Sequence, residues 1–216
     1  LREYALTFRS LADTDRLEEK LRVMEASERQ RLRIAVIGGG ANGVELACKL
    51  SDRLQGRSNI LLIERGKEIL SPFSQGVKKA ASKAIKKRAI DVLVETDVRE
   101  IEADKIVLNS GENITLPVDL VLWTAGTESI AWVRNLDCQQ TNRGRLLTRP
   151  TLQLVDYPEV FALGDLAEIC SRGKRPFALT SVEQSFAPTS IPMTAQVAYQ
   201  QASVAAKNIK AVLSGK

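Results

Sequence analysis

RIAVIGGGANGVELACKL, residues Arg33–Leu50, decides the fold. It opens on Ile34-Ala35-Val36-Ile37, a continuous apolar run of the kind found in a parallel strand buried on both faces. Gly38, Gly39 and Gly40 follow, then Gly43, so that Gly38, Gly40 and Gly43 read as G-x-G-x-x-G. Behind them Val44, Ala47, Cys48, Ser51 and Leu54 recur at helical spacing up to Gly56. In such a turn the first glycine allows the sharp exit from the strand and the second lets backbone approach a pyrophosphate. The third lets the helix pack close to the strand. The helix N-terminus then offers free N–H groups and partial positive charge to an anion.

Working outward, a second apolar run, Asn59–Ile63, ends at Glu64, 21 residues after Gly43. That is near the spacing of the acid that accepts hydrogen bonds from the adenine ribose hydroxyls. Strand, glycine turn, helix, strand and acid in this order predict dinucleotide binding; the alternative is a purely structural glycine turn. Beyond Gly66 a loop through Leu70-Ser71-Pro72-Phe73 leads to a helix at about 74–88, and Ala89–Val94 reads as a third parallel strand. Val98–Ile101, Lys105–Leu108 and Asn113–Leu116 are short runs broken at Ala103-Asp104 and Ser110-Gly111-Glu112, the pattern of a β-meander. Val118–Trp123 re-enters the sheet and ends at Thr124-Ala125-Gly126, where small residues admit close backbone approach. The fold class is α/β: a Rossmann-like dinucleotide domain over 32–126 with a meander crossover.

Residues 1–31 read as a connecting strand, Tyr4–Phe8, and a helix capped by Asp13 or Thr14 whose stripe Leu17, Leu21 and Met24 is narrow. The rest of that helix is charged, so it is expected on the surface between two bodies. Residues 127–216 form a further region. Gly144–Leu147 and Leu152–Leu154 are short strands, and Pro158–Asp165 is a buried strand delivering Asp165 after Gly164. Residues 171–192 are irregular, and a helix follows at about 192–213 with Pro192 in its first turn. Ala195, Ala198, Tyr199, Ala202, Ala205, Ala206, Ile209 and Val212 are expected to share its apolar face, flanked by Gln196 and Gln200.

Composition narrows the chemistry. The 216 residues include no histidine, which removes His-based triads and imidazole ligands from this chain. Cys48, Cys138 and Cys170 are isolated, with neither a CxxC pair nor metal-site spacing, and read as free core thiols. No apolar run is long enough for a membrane span. The net charge of +5 owes much to Lys78, Lys79, Lys83, Lys86, Lys87 and Arg88. They read as a solvated basic face around Val77, Ala80, Ala81, Ala84 and Ile85, with an anionic membrane or acidic partner as the alternative. No recognition motif accompanies them, which argues against nucleic acid.

GGGANGVE (38–45), LVLWTAG (120–126), VFALGDLAE (160–168) and PMTAQVAYQQ (192–201) stand in a fixed order. Together they resemble the type II NADH dehydrogenases, single-subunit flavoenzymes that pass electrons from NAD(P)H through FAD to a quinone. The resemblance implies that 127–216 is the C-terminal part of an FAD-binding domain. It implies that Gly38, Gly40 and Gly43 hold the NAD(P)H pyrophosphate, with Gly39 and Asn42 among the cofactor-binding residues, that Glu45 stands near the nicotinamide, and that Glu64 binds the adenine ribose. Ala125 and Gly126 would lie near the nucleotide, and Gly164 and Asp165 would bind the FAD ribityl and pyrophosphate region. Ala195, Gln196 and Gln200 match the A-Q-x-A-x-Q motif beside flavin and quinone, with Gln196 and Glu45 as the catalytic candidates.

The resemblance further implies peripheral association with a membrane surface, on the cytoplasmic or the organellar (stromal) side, and allows a homodimer. Only one glycine fingerprint is present, so the chain is expected to be an internal or C-terminal piece, inactive by itself. Glu64 favours NADH and Arg65 beside it leaves NADPH open. Two other readings stay open: a ferredoxin- or rubredoxin-reductase-like flavoprotein, and a nucleotide-sensing module without turnover.

Overall fold

The computed structural model describes residues 3–27, 31–126, 131–172, 186–188, 191 and 193–215. They form two compact units, Leu1–Gly126 and Thr127–Lys216. Unit 1 runs β1 (Ala5–Thr7), α1 (Leu11–Glu25), β2 (Leu32–Ile37), α2 (Ala41–Leu54), β3 (Ser58–Ile63), α3 (Gln75–Lys87), β4 (Asp91–Leu93), β5 (Asp97–Ile101), β6 (Lys105–Asn109), β7 (Asn113–Pro117) and β8 (Leu120–Trp123). Five strands make an all-parallel sheet in the order β1-β8-β2-β3-β4. The meander β5-β6-β7 is a separate antiparallel sheet with turns at the two polar breaks read from sequence.

Strand periodicity explains the layering. Side chains alternate across a strand, so Ile34 and Val36 of β2 join one core with α1, α2 and α3, while Ala35 and Ile37 join another with Ile101, Ile106 and Leu108 of the meander. The central strands are therefore apolar on both faces, as the unbroken runs in the sequence predict. At the entrance to β2, Arg33 pins the neighbouring strand. Its Nη2 donates to Asp119 Oδ1 at 2.7 Å, and its backbone N–H donates to Asp119 Oδ2 at 2.8 Å. The Asp119 carboxylate raises the pKa of the Arg33 guanidinium through that hydrogen bond.

Helix α1 is not a surface connector. Its stripe, Leu17, Leu21 and Met24, is buried in the helix-side core, and β1 pairs in parallel with β8. A narrow stripe suffices because α1 covers only one edge of the sheet. Its cap is Ser10, not Asp13 or Thr14. Ser10 Oγ accepts from the Asp13 N–H at 3.2 Å, and Asp13 Oδ2 accepts from the Ser10 N–H at 3.1 Å, a capping box with Asp in the third position. Arg53 of α2 then ties the two helices, donating to Glu25 at 2.8 Å and to Glu18. The basic helix α3 turns Ala81, Ala84 and Ile85 inward and leaves Val77 and Ala80 exposed. Lys78 pairs with Glu68 at 2.5 Å and Arg88 with Asp52 at 2.8 Å, so Lys79, Lys83, Lys86 and Lys87 form the exposed basic face.

Unit 2 contains α4 (Ala131–Arg134), β9 (Leu146–Thr148), a 3-10 turn at Gly164–Leu166, β10 (Ala167–Arg172), β11 (Phe186–Pro188) and α5 (Ala195–Leu213). β10 pairs in parallel with β9 and antiparallel with β11, so the stretch expected to be irregular contributes strand at 171–172 and 186–188. Gly173, Pro176 and Pro192 lie outside the described residues. The buried strand expected at Pro158–Asp165 is absent. Val160 is exposed, Phe161 makes a single bridge to Gln153, and β10 starts only at Ala167. The left-handed backbone of Gly164, φ +69°, breaks extension there.

The apolar face expected on α5 is also corrected. Ala198 is half-buried and Ala205 buried, but Ala195, Tyr199, Ala202, Ala206, Ile209 and Val212 are exposed. The inward face of α5 carries amides instead. Gln201 Oε1 accepts from the Gly164 N–H at 2.6 Å, and Asn208 Nδ2 donates to the Thr151 carbonyl at 2.9 Å. The three cysteines are free, and burial pushes the Cys48 and Cys170 thiols above their ordinary pKa.

Leu21, 2% exposed, tests the place of α1. Leu21→Ala is expected to lower the unfolding free energy by about 2–5 kcal/mol; a loss below about 0.5 kcal/mol in a denaturant titration would return α1 to the surface. Arg53 gives a pH signature. Its hydrogen bonds hold the Glu18 and Glu25 carboxyls below their ordinary range. Folded values below unfolded ones give stability that is present above about pH 4.5 and lost as pH falls through the lowered values. Arg53→Gln is expected to melt earlier than the parent at neutral pH, with the gap closing as pH falls below the ordinary carboxylate range. A gap that stays constant with pH would contradict the assignment.

Candidate functional site

The C-terminal edge of the parallel sheet in unit 1 gathers the glycine turn, the end of β3 and the end of β8. Gly38 leaves β2 at φ +114°, and its N–H donates to the Ile63 carbonyl at 2.8 Å. A Cβ on Gly38 would stand 2.8 Å from Thr124 Oγ1 and 2.9 Å from the Ala125 nitrogen. Gly39 is buried; a Cβ there would meet Ile69 Cγ2 at 2.7 Å. Gly43 admits the closest approach of all. Its Cβ would fall inside the van der Waals shell of the Gly38 carbonyl oxygen, and 2.7 Å from Thr124 Oγ1.

Gly40 is different in kind. It is exposed, its φ of −73° suits any residue, and a Cβ added there meets nothing within 4 Å. It is also the N-cap of α2, and it provides no side chain to satisfy the first N–H groups of the helix. An uncapped helix start leaves several donors pointing out of the helix end, where the helix dipole favours an anion. The fold thus requires glycine at 38, 39 and 43 for its own packing, whereas at Gly40 it leaves open space beside free donors. Asn42 and Glu45 stand exposed on α2 beyond this point.

Glu64 closes the other side. Its Oε2 accepts from the Gly39 N–H at 2.6 Å and its Oε1 from the Gly66 N–H at 2.6 Å. The backbone of Glu64 is held as well, donating to the Leu93 carbonyl at 2.8 Å and accepting from the Thr96 N–H at 3.1 Å. The acid singled out by spacing is therefore brought directly against the glycine turn. Arg65 is exposed, with Nε 4.0 Å from Asp97. On the β8 side, Thr124 Oγ1 donates to the Ile37 carbonyl at 2.8 Å, and Trp123 Nε1 donates to the Ala125 carbonyl at 2.8 Å. Arg9, from the β1–α1 loop, donates to the Ala125 carbonyl at 3.2 Å and to that of Gly126. The small-residue turn is thereby latched by three side chains. Sequence reasoning missed Thr124 and Arg9 as anchors, because each acts across more than 80 residues of chain.

In unit 2 the Gly164–Asp165 turn packs on α5, where an ideal Cβ on Gly164 would lie 3.5 Å from Ala198 Cβ. The Asp165 side chain is exposed beside it. Thr194 caps α5, its hydroxyl accepting from the Val197 N–H at 3.3 Å. Ala195, Gln196 and Gln200 are exposed along the first turns, so the glutamine that meets the Gly164 turn is Gln201 rather than either of the two chosen from sequence. Just after the turn, Glu168 forms a buried ion pair with Arg145 of the segment entering β9, and Arg145 also donates to the Ala167 carbonyl. Arg145 Nε is buried without a partner among the described residues.

Residues 2–202 match the model of the pyridine nucleotide-disulphide oxidoreductase family. The chain belongs to that family. Three curated relatives of this family member are similar over nearly its whole length. Demethylphylloquinone reductase NdbB of Synechocystis is 40% identical over 100% of this chain and 50% of its own. The alternative NAD(P)H-ubiquinone oxidoreductase C1 of Arabidopsis thaliana is 30% identical over 99% of this chain and 42% of its own. A type II NADH:quinone oxidoreductase of Haemophilus influenzae is 27% identical over 96% and 46%. The chain thus spans about half the length of the curated relatives it matches. The structure of NDH2 from Plasmodium falciparum in complex with NADH superposes on 77% of this chain at a TM-score of 0.62 and 21% identity, covering 40% of that chain, and shows the same α/β fold.

The glycines separate by experiment. Gly43→Ala is expected to cost about 3 kcal/mol of stability or more through overpacking, whereas Gly40→Ala is expected to stay within about 1 kcal/mol of the parent. Equal losses in chemical denaturation would contradict the distinction.

Proposed function

We propose that this chain belongs to a type II NADH dehydrogenase, in which electrons pass from NADH to a quinone. The observation that supports this most is the contrast at the glycine turn: glycine at 40 serves no packing need and fronts an uncapped helix start. A dinucleotide pyrophosphate fits there in charge and in hydrogen-bonding type, accepting from the first N–H groups of α2. Gly38, Gly39 and Gly43 shape the turn, and Asn42 flanks it. The Glu64 carboxylate, held against the turn by the Gly39 and Gly66 amides, accepts from the adenine ribose hydroxyls. A 2′-phosphate would meet that carboxylate, so NADH is preferred; Arg65 is the residue that would accommodate NADPH. Ala125 and Gly126, latched by Arg9 and Trp123, present a small surface to the nucleotide, and Glu45 faces the nicotinamide end as a catalytic candidate.

In unit 2 the chemistry of the donor set suits FAD. The exposed Asp165 carboxylate next to Gly164 accepts hydrogen bonds from polyol hydroxyls, and the start of α5 at Ala195 favours negative charge nearby. FAD, when bound, supplies the two-electron relay between nicotinamide and quinone. Gln196 and Gln200, one helical turn apart and exposed, offer both donors and acceptors to quinone carbonyls. No helix among the described residues is long and apolar enough to cross a membrane. The reading as a type II NADH dehydrogenase implies peripheral association with a membrane surface, on the cytoplasmic or organellar side, and allows a homodimer.

The full-length protein is expected to oxidise NADH with a short-chain quinone as acceptor; transfer to ferredoxin or rubredoxin without transfer to quinone would contradict the proposal. Glu64→Ala is expected to raise the Kd for NADH about tenfold or more by calorimetric titration, and that for NADPH much less. Equal losses for both nucleotides would overturn the role given to Glu64.

A further inference from the structure

Gln201 lies outside the A-Q-x-A-x-Q motif, yet it is the glutamine of α5 that reaches the Gly164–Asp165 turn. It is 9% exposed, and its Oε1 accepts the Gly164 N–H at 2.6 Å. Burying an amide costs desolvation that an apolar residue would not incur beside Ala198 and Ala205. What the amide provides is a fixed acceptor for a backbone N–H in a left-handed turn. Gly164 has φ +69°, and the turn rests on Ala198, one turn earlier on the same helix face.

We propose that Gln201 is a positioning residue for flavin binding: its bond to the Gly164 N–H fixes the direction in which the next residue, Asp165, presents its carboxylate. The inference rests on the reading of Asp165 as an FAD ligand. The same bond sets the rotation of α5. At about 100° per residue, Gln200 lies next to Gln201 around the helix and Gln196 about 140° away, so holding Gln201 inward holds both outward. Asn208, seven residues on, bonds the Thr151 carbonyl at 2.9 Å and resists rotation at a second point. One buried amide thus couples the angle of the acid in the turn to the angle of the two exposed glutamines.

The test compares Gln201→Leu, Gln201→Glu and Asp165→Asn in the full-length protein, by FAD fluorescence titration and by hydrogen exchange at the Gly164 amide. Leucine keeps bulk and removes the acceptor. Glutamate keeps an acceptor oxygen in either protonation state. Gln201→Leu is expected to raise the Kd for FAD about tenfold and to speed exchange at Gly164, and Gln201→Glu to restore both towards the parent. Asp165→Asn is expected to weaken FAD while leaving Gly164 protected. Faster exchange in Gln201→Leu with unchanged FAD affinity would overturn the positioning role. So would equal weakening by leucine and glutamate with equally lowered melting temperatures, which marks a purely structural residue. Unchanged FAD affinity in Asp165→Asn, or no FAD binding by the parent, would overturn the reading of the turn itself.

Discussion

The structure of unit 1 depends on how closely α2 can approach the end of β2. Gly43 has no Cβ, and any side chain there would collide with the Gly38 carbonyl. That single absence lets the first turn of α2 lie over the strand exit, with the Thr124 hydroxyl filling the remaining gap through its bond to the Ile37 carbonyl. From there α2 buries Val44, Leu46, Ala47, Leu50 and Leu54 on the helix-side core. The same approach brings the helix start to the sheet edge, where Glu64 and the Thr124–Gly126 turn converge. Packing and ligand chemistry are therefore one constraint: the glycine that closes the core also aims the helix dipole.

Unit 2 is organised differently. Its small apolar core, Val133, Leu146, Leu154, Ala162 and Ala167, is supplemented by polar links. Arg145 and Glu168 pair inside it, and Gln201 and Asn208 carry side-chain bonds from α5 to two turns. A buried ion pair adds little net stability when weighed against its desolvation, but it fixes the segment entering β9 against β10, and hence what precedes β10. Such links hold a turn at a defined angle, whereas apolar contacts alone tolerate sliding.

What was legible in the sequence was local. The apolar runs of β2, β3 and β8, the polar breaks of the meander and the glycine spacing all follow from the period of a strand or the sterics of a turn. They read directly from neighbouring residues. The anchors were not legible. Thr124 acts on Ile37, Arg9 on Ala125 and Gln201 on Gly164, pairings that exist only once the chain is folded. Helix α1 misled because a three-residue stripe among charges resembles a surface helix, though it covers a sheet edge. Helix α5 misled for the opposite reason: most of its alanine stripe, including Ala195, Ala202 and Ala206, is exposed, and the buried side is turned away from it and marked by two amides, Gln201 and Asn208. The run at 160–163 is apolar enough for a strand, but the left-handed Gly164 after it leaves only one bridge, at Phe161.

The dinucleotide site proposed at the glycine turn of unit 1 is what the rest of the functional reading depends on. Amide resonances of the isotope-labelled chain, recorded with and without NADH, address it most directly. The largest shifts are expected at Gly38–Gly43, in the first turn of α2, and at Gly66, whose amide donates to the Glu64 carboxylate that meets the ribose. Shifts absent from the turn, or confined to the exposed lysines of α3, would contradict it.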